Sequence, residues 1–177
     1  VRWQLTVACW DATAARQNTI PTDAEHTGDV LLIGVENQGV WLWGLRDQMV
    51  VERENEAHAL WTSTGESLLE YLWHFLLFET VLTSDRCLVV NDATLDQHRR
   101  FFDGWERLMV KPWRWPGPLH ALWYRDGALA LSFAEELPGD LVGPDTTVAI
   151  LVAGRTGEAL ARIDRLDLPW DVDSAKD

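Results

Sequence analysis

The sequence has no run able to cross a bilayer. Its longest apolar stretch, Tyr71 to Phe78, contains His74 and lies between Glu70 and Glu79, far short of the ~18 residues a spanning helix needs. It has no signal-peptide pattern, no internal repeat and no low-complexity tract. The first residue is Val1 rather than Met, which fits a fragment, a processed form or an alternative start codon. There are only two cysteines, Cys9 and Cys87, in no metal or redox spacing. That scarcity excludes a disulfide framework and fits a reducing, cytoplasmic setting. Basic residues are also scarce: 15 Lys and Arg stand against 28 Asp and Glu, a net charge of −13. Phosphate-rich partners need Lys and Arg, so nucleic acid and anionic membrane surfaces are disfavoured. A basic protein partner is favoured, with plain solubility as the blander reading of the same charge.

Signatures of catalysis are missing as well. His26, His58, His74, His98 and His120 are scattered, and none has a ligand spacing such as HExxH. There is no GxSxG, phosphate loop or GxGxxG. His74 on an apolar helix reads as a hydrogen-bonded core residue. Glu70 and Glu79 are too far apart on one helix for a carboxylate dyad. Glu36 and Asp47 flank a hairpin and could converge, although turn and edge charges are the plainer reading. The reading is therefore a non-enzyme with no cofactor and no metal.

What the chain has in excess is tryptophan, 11 in 177 residues, so a single domain can build a large core from few side chains. Acidity is concentrated toward the ends: residues 1–100 hold 15 acids and 7 bases, 101–134 hold 3 and 4, and 135–177 hold 10 and 4. Trp3, Val7 and Trp10 suit one face of a short N-terminal helix over residues 1–16. Asn18 to Asp29 reads as a loop. Val30 to Val35 and Val40 to Leu45 are β-rich runs around Glu36-Asn37-Gln38-Gly39, a hairpin signal in which Gly39 takes the positive φ of a G1 bulge. Gln48 to Glu56 is read as a third strand with Glu52, Glu54 and Glu56 along one face.

Ser63-Thr-Gly-Glu66 has the form of a capping box ahead of a helix, Glu66 to Leu82, that is apolar nearly all round and belongs in the middle of a fold. Thr94-Leu-Asp-Gln97 is a second capping box, opening a helix to about Met109. Lys111 to Pro118 is a Trp- and Pro-rich loop. There Arg107, Lys111 and Arg114 near Trp113 and Trp115 could form a strand-binding platform, with packing of the tryptophans as the plainer reading. Asp126-Gly127 joins Leu119 to Arg125 with Ala128 to Phe133 as a hairpin. Thr146 to Ala153 is a further strand, Gly157 to Leu166 a helix, and 168–177 an acidic tail, partly disordered.

The string Glu36-Asn37-Gln38-Gly39-Val40-Trp41 with Trp43-Gly44, the lone Trp61 and Ser67 to Leu82 (SLLEYLWHFLLFETVL) resembles the SUKH superfamily, and more narrowly actinobacterial SUKH-like proteins. Trp113 to Pro118 (WRWPGP) and Gly154 to Leu160 (GRTGEAL) fit the same group. The resemblance covers Asn18 to Leu166. It departs from the pattern at Met49-Val50, where many relatives have Pro-Val, and in a short N-terminal region. The resemblance implies an α+β fold, a twisted, mainly antiparallel sheet with helices packed on it. The length most simply gives one domain over residues 1–177, with two very small domains of poor core as the alternative. It also implies a non-enzymatic immunity protein that neutralises a polymorphic toxin, often a nuclease, by binding its basic surface. The contact residues expected on that reading are Glu52, Glu54 and Glu56, with Trp41 or Trp43 as an aromatic anchor; a solvated strand edge for the glutamates and core packing for the tryptophans are the plainer readings. A cytosolic regulator or scaffold without a toxin, and a small-ligand-binding module, are the alternatives.

Overall fold

The computed structural model describes residues 18–21, 23–117, 119–134, 146–163 and 168–171. The expected helix over 1–16, the end of the helix at 164–166 and the tail beyond Asp171 lie outside them. Among the described residues the protein is α+β, with two five-stranded antiparallel sheets in place of one. The chain divides into two compact units, Ala15–Glu79 and Thr80–Asp177 with Val1–Ala14.

The Ala15–Glu79 unit is a meander in the order β1-β2-β3-β4-β5. Its strands are β1 (His26–Thr27), β2 (Val30–Val35), β3 (Trp41–Arg46), β4 (Met49–Glu54) and β5 (Thr62–Ser67), followed by helix α1 (Leu68–Thr83). The β2–β3 turn forms as its sequence requires. Gly39 has φ 74° and its N–H bonds Glu36 O at 2.8 Å. The Glu36 carboxylate accepts from Gln38 N at 2.9 Å and Val40 N at 3.3 Å. Burying this acid is tolerable because two backbone donors meet it.

Alternation along β3 places Trp43 inside at 0% exposure and Trp41 at 5%. Helix α1 lays Tyr71, His74, Phe75 and Phe78 inward. The Tyr71 ring lies 6.3 Å from Trp43 and 5.7 Å from Phe75. Close approach of this ring depends on Gly34, where a Cβ would run into the Tyr71 hydroxyl and press on Trp43. Gly34→Ala is therefore expected to destabilise the unit by about 1–3 kcal/mol, as overpacking does, read from denaturant midpoints at constant slope.

Two expectations are corrected at the helix start. Thr62–Ser67 is strand β5, so Ser63 and Glu66 form no capping box. The reciprocal pair lies four residues later. Ser67 N donates to Glu70 Oε2 at 2.7 Å, and Glu70 N donates to Ser67 Oγ at 3.4 Å, the same S-x-x-E chemistry moved to Ser67. The helix is also not enclosed: Leu69, Leu72 and Leu76 are 66%, 44% and 42% exposed.

The second unit has the sheet order β6-β10-β9-β8-β7. Its strands are β6 (Cys87–Thr94), β7 (Glu106–Arg107), β8 (Ala121–Arg125), β9 (Ala128–Ala134) and β10 (Thr147–Gly154). Helices α2 (Leu95–Phe101) and α3 (Gly157–Ile163) complete it. The Thr94 capping box is present as expected, with both reciprocal bonds. Helix α2 stops at Phe101, well before Met109, because the chain turns at Gly104, φ 77°, into β7. The Asp126-Gly127 hairpin forms in register, Arg125 opposite Ala128. The described start of the tail is docked: Asp171 N bonds Val89 O at 2.9 Å, and Leu168 and Trp170 pack against the core.

Candidate protein-interaction surface

The Ala15–Glu79 unit is acidic among its described residues. Its exposed acids are Asp23, Glu25, Asp29, Asp47, Glu54, Glu56 and Glu70, while its two described basic residues, Arg46 and Arg53, are half-buried. Arg53 is held in place: its guanidinium lies 4.9 Å over the Trp61 ring and donates to Glu56 O at 3.0 Å. Among the described residues of this unit, the fully exposed charges are therefore of one sign.

At the end of the sheet, Gly39, Val40, Trp41, Glu54, Asn55 and Glu56 line an open recess of about 390 Å³. The recess has a rigid frame. Asn55 Nδ2 donates to Gly39 O at 2.8 Å, and Asn55 N donates to Val40 O at 2.8 Å. Val40, outward on the hairpin, is 52% exposed and supplies apolar surface. An acidic rim around an apolar wall suits the stem and head of a Lys or Arg side chain.

Of the five residues expected at a contact surface, the structure brings Trp41, Glu54 and Glu56 to this recess. Glu52 is a correction: it is only 2% exposed. In the register of β3 and β4 it faces Trp43, and its Oε2 accepts from Trp41 Nε1 at 3.2 Å. An indole N–H taken out of water needs an acceptor, and Glu52 supplies it. Glu56 is a second correction, since β4 ends at Glu54 and Glu56 stands in the following turn. Trp43 is wholly covered, so neither Glu52 nor Trp43 offers a face to a partner. Glu36 and Asp47 sit at opposite ends of β3 and do not converge.

Sequence reasoning missed a buried polar cluster. Glu66 and His74 are 1% and 0% exposed and are hydrogen-bonded across 2.9 Å between Oε1 and Nδ1. Burial pushes His74 down to about 3. Burial first, then the Glu66 and Glu79 carboxylates, hold the Tyr71 phenol well above its usual value. Glu79 in turn accepts from Asn18 Nδ2 at 2.7 Å, and Asn18 Oδ1 accepts from Asn37 N at 3.0 Å. Polar side chains thus tie the start of the described chain to both the helix and the hairpin turn. The spacing of Tyr71, His74 and Glu79 along the helix, with Glu66 just ahead of it, was the available signal. Its meaning depended on the strand Glu66 occupies.

In the other unit the basic residues 107–114 do not make the platform their sequence allows. Trp113 is buried and meets His120 edge-on at 5.8 Å. Arg107 instead lies 5.7 Å over Trp123, which also stacks on Phe102 at 4.3 Å. Burial pushes the Cys87 thiol up to about 11, which leaves it a poor nucleophile at neutral pH. Among the described residues no group of three His, Cys, Asp or Glu could hold a metal, and no helix is long and apolar enough to cross a membrane. Comparison of the chain with family models, with curated proteins and with solved structures finds no match.

Proposed function

We propose that this protein is a non-enzymatic binding protein of the SUKH-like immunity type. It neutralises a toxin domain, such as a nuclease, by occupying its basic surface in the cytoplasm. The observation that supports this reading is the one-signed exterior of the Ala15–Glu79 unit: seven exposed carboxylates and no exposed Lys or Arg among its described residues. A nuclease carries a cationic surface for its own substrate, and an acidic inhibitor reaches it by steered diffusion. Glu54 and Glu56 at the recess, with Val40 beside them, are the anchoring group. The buried network around Glu66 and His74 holds the hairpin and helix that present it.

The test is co-expression of the chain with the toxic domain encoded in the neighbouring reading frame. Protection of the host and co-purification are the expected results. In vitro, Glu54→Gln/Glu56→Gln is expected to slow association by about tenfold at low salt and to flatten its salt dependence. A neighbour that is not toxic, with ordinary cytosolic proteins recovered in its place, would favour a regulator or scaffold.

A second reading, a small-ligand module, has one observation in its favour: a recess of about 390 Å³ beside a tryptophan, within the size range of ligand sites. A saturable change in tryptophan fluorescence with a small cationic metabolite would move the assignment there.

A further inference from the structure

We propose that the outward face of α1, formed by Leu69, Leu72, Trp73 and Leu76, seats one amphipathic helix of the partner, apolar along its contact stripe and flanked by Lys or Arg. The inference rests on the protein-binding reading above and names the element that reading leaves open. These residues stand at i, i+3, i+4 and i+7, the spacing of a single helix face. Leu69, Leu72 and Leu76 are 66%, 44% and 42% exposed, while Tyr71, His74, Phe75 and Phe78 point to the other side and are buried.

Scattered exposed leucines are ordinary, but an aligned row is not. A helix that only covered a sheet would carry Lys, Glu or Gln along this line. Helix α1 has no Lys or Arg anywhere in its 16 residues. Met49, which pairs in register with Ser67 just ahead of the helix, is 39% exposed as well.

The shape of the face selects a helix. Ridges at this spacing accept those of a second helix, and Leu69 to Leu76 covers about 10 Å, two turns. Charge selects its flanks. Glu70 is exposed beside the row, and the other fully exposed charged side chains among the unit's described residues are all carboxylates. A second copy of the chain would bring like charges together, which costs affinity. A basic-flanked helix gains at the same positions.

The probe is a short synthetic helical peptide of leucine and lysine, with leucines at i, i+3, i+4 and i+7, beside a leucine–glutamate peptide of the same pattern. The full chain is expected to bind the first and not the second. Leu72→Gln/Leu76→Gln, which keeps net charge and helix propensity, is expected to weaken binding by at least ~10-fold. Circular dichroism and an unchanged denaturation midpoint confirm that the leucine variant is folded.

Equal binding of the two peptides, no binding of either, or full binding by the leucine variant overturns the proposal. So does a concentration-dependent dimer abolished by the same leucine changes, because the face then belongs to a second copy. The peptide assay involves no toxin, so this proposal can fail while co-expression protects the host, and the reverse.

Discussion

Trp43→Ala is expected to cost about 3–5 kcal/mol, the range for removing a large aromatic from a closed core. The side chain is 0% exposed and heads the fully buried residues by volume. It stands between β3 and the helix, with Tyr71 at 6.3 Å and the Gly34 backbone close enough that a methyl there would press on its ring. Neighbours held this way cannot collapse into the vacated space, because Tyr71 is pinned between Phe75 and the glycine. A domain's whole stability is typically about 5–15 kcal/mol, so the loss removes much of the margin of a small unit. Denaturant unfolding followed by circular dichroism measures the cost. Hydrogen exchange should place the lost protection within residues 18–79. Trp43→Phe, which keeps a ring, should recover more than half. A cost below about 1 kcal/mol would mean that the site repacks, and the account of this core would be wrong.

How far the fold could be read in advance depended on whether its signals were local. Gly39 and Asp126-Gly127 fix turns within a few residues, and Thr94-Gln97 fixes a helix start, so those elements stand where the sequence puts them. Strand β5, Thr62–Ser67, has no apolar alternation. Its one buried residue is Glu66, so it carries the composition of a loop and the outline of a capping box. Division into two sheets turns on long-range pairing, such as Val90 with Ile150, which no local pattern encodes.

The candidate surface was legible in its charge and misread in its detail. A carboxylate at Glu52 looks like a surface residue until its neighbour is known. The Trp41 N–H diagonally across the ladder turns it inward. The apolar helix misled in the opposite direction. Hydrophobicity all round implies cover all round, yet only one side of α1 has it. The same sequence feature that identified the helix as core is what leaves a leucine row facing outward. A segment too apolar for its observed environment is also the strongest reason to look for a partner there.

Acidification is expected to weaken the fold through His74, with a sign that follows from burial. Its folded value is about 3, below the ~6.5 of a solvated imidazole. Below pH ~6.5 the unfolded chain therefore binds a proton that the folded chain refuses. Stability attributable to this residue is complete above that pH and falls by about 1.4 kcal/mol per unit toward pH 3. Other groups act on the same curve. Glu66 and Glu79 face the same interior as His74 and Tyr71, and exposed carboxylates repel one another less as they protonate, which opposes the loss. Comparison with His74→Gln isolates the imidazole, since glutamine keeps a polar group toward Glu66 and cannot titrate. At pH 7.5 wild type should be the more stable. The gap should close by about 2–3 kcal/mol between pH 6.5 and 4.5. Parallel curves would show that His74 titrates alike in both states. A gap that widens on acidification would show a buried imidazolium–carboxylate pair, with attraction to Glu66 outweighing desolvation.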